Sequence, residues 1–304
     1  TMESPLFPAS FMRKLEMLSL VSRRIFAGKT RGERRSARRG GSVEFSDYLP
    51  YAPGDDFRAI DWNAYARLEH LFLKLFVEEE DLSVHIVLDC SRSMAFGGAA
   101  PGAQTKLALG KRLAGALAYI ALASYDRASV AAFGAGDRAI ETTPLLRGKG
   151  RIFRIFDFLE RISPREGAVS LDAALRTLVE RHRPRPGVIV LITDLLDQAG
   201  YEEGLKRLRY GPWEPLLLHV LSPEELDPPR AGDHRLIDSE APGRAVEVSL
   251  DGRAIAAYRK RLLAFLAHAE GFCRRHAIGY VRTSSAVELE DLVLRTLRAA
   301  RFVA

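Results

Sequence analysis

The sequence has few of the features that would cross-link the chain or place it in a membrane. Its 304 residues include only two cysteines, Cys90 and Cys273, which is too few for a disulfide framework and fits a reducing compartment. No apolar run reaches the roughly 20 residues that a membrane span needs. The nearest run, residues 107–123, is interrupted by Lys111 and Arg112. With no signal-peptide pattern at the N-terminus either, we expect a soluble cytoplasmic protein.

The short motifs of several enzyme classes are also missing. A phosphate-binding loop needs lysine directly after its second glycine, but Ala103 follows Gly97 and Gly102, which have the required glycine spacing. No Gly-x-Gly-x-x-Gly motif follows the first strand of the main domain, and no Gly-x-Ser-x-Gly elbow occurs. The seven histidines show no spacing typical of metal ligands. These absences argue against ATP hydrolysis, nicotinamide binding and serine hydrolysis, and we predict that the protein is not an enzyme.

Positive charge is concentrated near the N-terminus. The whole chain has a net charge of +6, whereas residues 1–42 alone carry ten basic and three acidic residues. This basic arm could contact nucleic acid, an anionic membrane surface or an acidic protein partner, or it could be a solvated loop. No aromatic residue lies between Lys29 and Gly41, so stacking on nucleic-acid bases is not predicted there.

Three segments differ in their patterns. Residues 1–42 predict an amphipathic helix over 9–27 followed by the basic arm. Residues 43–80 are rich in aromatic and apolar residues and predict a small β-rich appendage, with Trp62 and Tyr65 in its core. Residues 81–304 form the main domain, which contains a β-rich insertion at about 223–252.

Strand and helix patterns alternate along the main domain. Such alternation predicts an α/β fold with a doubly wound, mostly parallel sheet. The predicted strands are 84–88, 128–133, 140–143, 188–192, 216–221 and 279–282, and the predicted helices are 105–124, 150–162, 171–183, 199–210, 254–276 and 287–298.

Polar motifs follow two of the buried strands. Asp89, Ser91 and Ser93 come directly after one strand, and Thr193-Asp194 follows another. Binding sites in such sheets gather at the carboxyl ends of the strands, so these groups are candidates for one site. Their oxygens suit a hard cation such as Mg²⁺, Mn²⁺ or Ca²⁺. Alternatively, the seryl side chains cap the following turn and Asp194 binds backbone amides.

These motifs resemble the metal-ion-dependent adhesion site of von Willebrand factor A domains. A longer block, residues 34–67, resembles a narrower bacterial family, the domain of unknown function 58 (DUF58) group. The block includes the runs Arg39-Gly40-Gly41-Ser42-Val43-Glu44-Phe45 and Tyr51-Ala52-Pro53-Gly54-Asp55-Asp56-Phe57-Arg58. The resemblance implies a von Willebrand factor A-like domain with a partner-binding or assembly role beside a MoxR-type AAA+ ATPase.

The resemblance also implies a metal site, with one departure. The ligands would be Asp89, Ser91, Ser93 and Asp194, and the ion Mg²⁺ or Mn²⁺. Adhesion sites usually add a threonine from a loop before a helix, and Val169 stands at that position here. Valine has no oxygen to offer, and Ser170 or Asp172 is the nearest substitute.

Three functional hypotheses follow. The first is an adaptor that uses a bound metal to hold a carboxylate of a protein partner. The second is a metal-independent scaffold that binds its partner through the 34–67 block and the basic arm. The third is metal-dependent phosphoester hydrolysis at Asp89 and Asp194, which lacks an evident general base. The partner surface of the second hypothesis comprises Arg34, Arg35, Arg38, Arg39, Asp55, Asp56 and Arg58.

Overall fold

The computed structural model divides the chain into a large unit, Thr1–Thr30 with Leu82–Ala304, and a small unit, Arg31–Asp81. It describes residues 7–20, 44–53, 57–77, 82–99, 104–134, 140–164, 170–227, 232–237, 245–298 and 302–303. Several residues of the sequence predictions lie outside these ranges, namely Arg34, Arg35, Arg38, Arg39, Asp55, Asp56 and Val169.

Helices and strands alternate through most of the described residues. The helices are α1 (Ala9–Leu15), α2 (Trp62–Leu68), α3 (Lys106–Ala123), α4 (Ile152–Arg161), α5 (Leu171–Thr177), α6 (Glu202–Tyr210), α7 (Pro223–Leu226), α8 (Gly252–Arg275) and α9 (Leu289–Asp291). The strands are β1 (Glu44–Pro50), β2 (Phe72–Val77), β3 (Ser83–Asp89), β4 (Arg127–Phe133), β5 (Ile140–Thr142), β6 (Leu146–Arg147), β7 (Gly187–Thr193), β8 (Trp213–Leu221), β9 (Gly232–Ile237), β10 (Ala245–Leu250) and β11 (Gly279–Ser284). Turns of π-helix, Leu178–His182 and Leu292–Leu297, continue α5 and α9.

The large unit is built on a seven-stranded sheet with the order β11–β8–β7–β3–β4–β5, in which β6 also pairs with β4. Strands β11, β8, β7, β3 and β4 run parallel to one another. Strands β5 and β6 pair antiparallel with β4. The predicted α/β fold with a mostly parallel, doubly wound sheet is therefore confirmed.

Both faces of this sheet are covered by apolar residues of the helices. Side chains alternate between the faces of a strand, so Ile86 and Leu88 enter one hydrophobic cluster and Val87 enters the other. The first cluster contains most of α3, whose side chains are buried nearly all round, as the sequence predicts. The second contains apolar residues of α5, α6 and α8. The carboxyl ends of the parallel strands remain as the edge where polar loops meet.

The N-terminal segment packs on the large unit. Helix α1 ends at Leu15, so the predicted helix over residues 9–27 is wrong for residues 16–20, and residues 21–27 lie outside the described ranges. Leu18 is still buried, but from the turn that follows α1, and Leu20 forms a β-bridge with Val303. The apolar spacing continued past the helix because these two leucines also face inward from non-helical backbone.

The described residues of the small unit form an antiparallel pair, β1 with β2, and include the helix α2, which the sequence patterns did not predict. The side chain of Asp61 caps α2 by accepting hydrogen bonds from the backbone N–H groups of Asn63 and Ala64 at 2.9 and 3.3 Å. The cap explains why a helix begins there.

Trp62 and Tyr65, predicted as core residues, are 63% and 44% exposed. Their rings contact each other edge to face, with centroids 6.2 Å apart. Helix α2 is only seven residues long and buries a single residue, Ala64, so its remaining faces are left to solvent. Aromatic content alone therefore misassigned these two rings.

Strands β9 and β10 pair antiparallel and form the hairpin expected within the insertion. Helix α8 follows directly, capped by Asp251, whose carboxylate accepts a hydrogen bond from Ala254 N at 2.7 Å. Among the described residues, none of the helices combines the length and apolar character needed to cross a bilayer.

Truncation of Leu15 tests the packing of the N-terminal segment. Leu15 is 0% exposed, so we expect Leu15→Ala to lower the free energy of unfolding by about 2–5 kcal/mol, because it leaves a cavity in the core. Urea denaturation measures the loss. Met17→Ala is the matched control: Met17 is 85% exposed, and its truncation should cost less than about 0.5 kcal/mol. Similar, small losses in both variants would show that the segment does not pack on the sheet.

Candidate functional site at the carboxyl edge of the sheet

The structure brings together the two polar motifs that follow β3 and β7. These strands are neighbours, and Leu88 lies opposite Ile192 in their parallel register. The next residues, Asp89 and Thr193, are therefore adjacent, and the Thr193 hydroxyl donates a hydrogen bond of 2.6 Å to Asp89 Oδ2. Sequence motifs 104 positions apart thus share one site.

Asp89 is a buried carboxyl group at the centre of this site. Its Oδ1 accepts a hydrogen bond from Ser91 N at 2.8 Å. Burial, and then the negative charge of Asp194, raise the pKa of Asp89 to about 7, although the hydrogen bonds from Thr193 and Ser91 act in the opposite direction. Within the described ranges no basic side chain forms an ion pair with Asp89, so its carboxylate form lacks a counter-charge there.

The two seryl hydroxyls lie beside Asp89. Ser91 Oγ and Ser93 Oγ are 3.0 Å apart, within hydrogen-bonding distance. Ser91 precedes a short 3₁₀ turn, Arg92–Ala95, but its side chain makes no capping bond to that turn. The alternative in which Ser91 serves as a cap is therefore wrong, and its hydroxyl faces Ser93 instead.

Asp194 is held by a residue that the sequence analysis missed. Lys106, the first residue of α3, is 0% exposed, and its ammonium donates to Asp194 Oδ2 at 2.7 Å. Asp194 Oδ1 accepts a hydrogen bond from Leu196 N at 3.0 Å, which matches the predicted contact with a backbone amide. Both oxygens of Asp194 are therefore occupied within the protein. The sequence signal that could have found it is a lysine at the first position of a mostly apolar helix.

The Lys106 ammonium has a second carboxylate partner, Glu225. Glu225 lies in α7, just after β8, where it forms a reciprocal cap with Ser222: Glu225 N donates to Ser222 Oγ at 3.2 Å, and Ser222 N donates to Glu225 Oε2 at 2.7 Å. The cap fixes the carboxylate next to the lysine. A third strand end therefore contributes to the site.

His219 in β8 supports Asp194 from the interior of the sheet. Its Nε2 lies 3.0 Å from the backbone oxygen of Asp194, which can only accept, so Nε2 carries the proton. Its Nδ1 then accepts from the Tyr280 hydroxyl at 2.9 Å. Burial lowers the pKa of His219 to about 4, so the ring is neutral at physiological pH. This arrangement fits the structural role expected for a histidine within a strand.

Three other candidates have different roles. Ser170 caps α5, and its Oγ accepts a hydrogen bond from Ala173 N at 3.2 Å, so its side chain has a structural role. Cys90 is 2% exposed, with its Sγ 3.6 Å from the backbone oxygen of Leu88, in keeping with a small buried residue. Arg58 belongs to the small unit, where its guanidinium lies 5.9 Å from the ring centre of Phe57.

The donor set fits a hard divalent cation. Among the described residues, no three His, Cys, Asp or Glu side chains are grouped to hold a metal, so an ion here would depend on hydroxyl oxygens. Asp89, Ser91 and Ser93 supply one carboxylate and two hydroxyls, which are oxygen ligands that Mg²⁺ and Mn²⁺ accept. A buried carboxylate without a counter-charge also favours a bound cation.

A model of the family described as "Protein of unknown function DUF58" matches residues 47–265. Uncharacterized protein Rv1480 of Mycobacterium tuberculosis (strain ATCC 25618 / H37Rv) is 26% identical over 253 residues, which cover 81% of this chain and 78% of that protein. Uncharacterized protein Mb1516 of Mycobacterium bovis gives the same values, 26% identity over 253 residues.

Solved structures with similarity to the chain include von Willebrand factor A domains. The conserved hypothetical protein BatB from Bacteroides thetaiotaomicron aligns with 72% of this chain and 98% of its own, at 19% identity and a TM-score of 0.45. The SpRpn10 VWA domain aligns with 70% of this chain and 94% of its own, at 13% identity and a TM-score of 0.39.

The raised pKa of Asp89 gives a testable pH dependence. Between the ordinary value of 3.8 and about 7, the folded protein binds more protons than the unfolded chain, so its stability should fall as pH rises through this window. Asp89→Asn cannot ionise and should lose this dependence. In the presence of chelator, we expect the stability of the variant relative to the wild type to rise with pH between 3.8 and about 7, measured by urea denaturation.

The control is Asp172→Asn, because the Asp172 carboxylate is part-exposed and pairs with Arg207 at 3.0 Å. This substitution should give no gain in stability with rising pH. A constant difference between Asp89→Asn and the wild type across the pH range would contradict the burial argument.

Proposed function

This chain belongs to the DUF58 family, and we propose that it is a protein-interaction module of the von Willebrand factor A-like type that acts without catalysis. The site favours binding over hydrolysis of phosphoesters. Such hydrolysis would need a general base besides the carboxylate that holds the metal, and Asp194 is instead paired with the buried Lys106 ammonium. His219 is buried and bonded on both ring nitrogens.

In this proposal, the module holds a carboxylate of its partner through a divalent cation. Asp89, Ser91 and Ser93 would hold Mg²⁺ or Mn²⁺, while Asp194, which is paired with Lys106, would stay outside the ligand set. When bound, the ion supplies a Lewis-acidic position that a partner's aspartate or glutamate can occupy. The observation that carries the proposal is the buried Asp89 carboxyl, which has no counter-charge among the described residues and lies next to two paired hydroxyls.

A MoxR-type AAA+ ATPase is the partner that the family resemblance suggests, and we propose that the module assists such an ATPase in the assembly of a complex. The cytoplasmic location expected from the sequence is part of the same proposal. Ser170 is not included in the proposed ligand set, because its side chain is the N-cap of α5.

Calorimetric titration of Mg²⁺ and Mn²⁺, with acetate present to mimic the partner's carboxylate, tests the metal site. We expect saturable binding to the wild type and an affinity lower by about tenfold or more in Asp89→Asn, because the variant loses the only carboxylate in the ligand set. Asp172→Asn, whose carboxylate pairs with Arg207 instead, should bind like the wild type. If the folded wild type binds neither ion, the metal-dependent proposal is wrong.

One observation favours a second candidate function, in which the small unit binds the partner without metal. Phe57, Trp62, Tyr65 and Leu68 are all exposed, within a stretch of twelve residues. Tryptophan, tyrosine and arginine are the residues most often found at the energetic centre of protein interfaces. Arg58 next to Phe57 adds a cationic group to this aromatic surface. Apart from Leu68, the surface lies in the described part of the 34–67 block.

The double variant Trp62→Ala/Tyr65→Ala separates the two functions. If the aromatic surface is the interface, the variant should bind a purified MoxR-type ATPase at least about tenfold more weakly, and chelator should leave wild-type binding unchanged. Biolayer interferometry with and without EDTA measures both effects. Tyr125→Ala is the control, because Tyr125 is a 76% exposed aromatic residue of the large unit. Loss of binding with EDTA alone would instead support the metal site.

A further inference from the structure

We propose that the buried ammonium of Lys106 competes with a divalent metal ion for Asp194 and so lowers the affinity of the site for metal. This inference rests on the proposed function, since it concerns the same site. It assigns Lys106 and Glu225 to the control of metal affinity, whereas the sequence motifs include neither residue.

The position of the ammonium is the first argument. Lys106 is fully buried and bonded to two carboxylates, Asp194 and Glu225. The aromatic ring of Phe96 also lies near it, with its centre 5.9 Å from Nζ. A lysine that only improved solubility would extend into solvent. If the position served only packing, an apolar residue could occupy it. Burial of this charge is costly unless its partners stay in place, so the three side chains are held together.

The occupancy of Asp194 is the second argument. Oδ2 accepts a charge-assisted hydrogen bond from Lys106 at 2.7 Å and Oδ1 accepts one from Leu196 N at 3.0 Å, so a metal ion that approached Oδ2 would meet the buried ammonium. Asp89, in contrast, has no ammonium or guanidinium partner among the described residues. One of the two strand-end carboxylates is thus neutralised by the protein, and the other is left for an exchangeable cation.

The charge balance of the site is the third argument. Asp89, Asp194 and Glu225 are three carboxyl groups, and Lys106 is one ammonium, which leaves a formal charge of −2 when all are ionised. One divalent ion compensates that charge. If the lysine were absent, the excess negative charge and the freed Asp194 oxygen would both strengthen cation binding.

A double variant separates the effect of the Lys106 ammonium on Asp194 from the effect of the net charge of the site. Lys106→Met alone leaves two carboxylates without their cation in a buried region, and such a variant risks unfolding. Lys106→Met/Glu225→Gln removes one positive and one negative charge, so the formal charge of the site stays at −2. The cap of α7 does not need the charge of Glu225, because the amide oxygen of the substituted side chain can still accept the bond from Ser222 N. Only the ammonium on Asp194 is lost.

The experiment is a calorimetric titration of Mn²⁺ alone into the folded full chain at constant pH. We expect Lys106→Met/Glu225→Gln to bind Mn²⁺ about tenfold or more tightly than the wild type, and thermal unfolding to show a larger rise in Tm with Mn²⁺. Adding Asp194→Asn to this variant should abolish the gain, since the freed carboxylate is its source. Glu225→Gln alone should show none of this gain, because Lys106 still holds Asp194 and the site has lost one negative charge.

The matched control is Lys111→Met. Lys111 is a partly buried lysine of the same helix, and its ammonium donates to the backbone oxygen of Ile162, outside the site. Its loss removes the same charge from α3 without freeing Asp194, and Mn²⁺ affinity should not change. If Lys106 had only a structural role, its loss would loosen the site and weaken Mn²⁺ binding.

The outcomes separate the two proposals. Equal or weaker binding in Lys106→Met/Glu225→Gln, with measurable binding in the wild type, would overturn the role of Lys106 and leave the metal site standing. Binding by the variant but not by the wild type would support the role of Lys106 and overturn metal binding as the wild-type function. Absence of binding in both folded proteins would overturn both.

Discussion

Buried charge at the carboxyl edge of the sheet is the constraint on which the rest of the site depends. Asp89 and Asp194 end two adjacent strands inside the protein, where the low dielectric makes two unpaired negative charges costly. Two features of the protein reduce this cost. The Lys106 ammonium pairs with both Asp194 and Glu225. Burial raises the pKa of Asp89, which favours its neutral form.

This constraint explains why several elements have the positions they do. Helix α3 must begin where Lys106 can reach Asp194, and Thr105 fixes that start by capping the helix through Ala108 N at 3.1 Å. The short helix α7 must place Glu225 at the same ammonium, which its cap with Ser222 achieves. The apolar side chains of α3 on the sheet hold the lysine there. Packing and electrostatics thus define one geometry.

The two candidate functions use different parts of the chain and different physics. The edge of the sheet offers buried oxygens and an imbalance of charge, which suits a cation and an acidic group of a partner. The small unit offers exposed rings at Phe57, Trp62 and Tyr65, which suit direct burial against another protein. Both fit a binding role within the DUF58 family, and they differ in their dependence on metal.

The sequence by itself determined the α/β fold and the strand ends that carry Asp89 and Asp194, because alternation and strand-end polar residues are local signals. It also predicted the buried helix α3 and the hairpin of the insertion. It failed for α1 beyond Leu15 and for Trp62, since apolar spacing and ring content do not reveal which face is covered. Only the tertiary structure decided the partners of Lys106, which lie 88 and 119 positions away in the chain. Those contacts follow from the order in which parallel strands join the sheet. That order is set by packing of the helices on both faces, and no local pattern of residues encodes it.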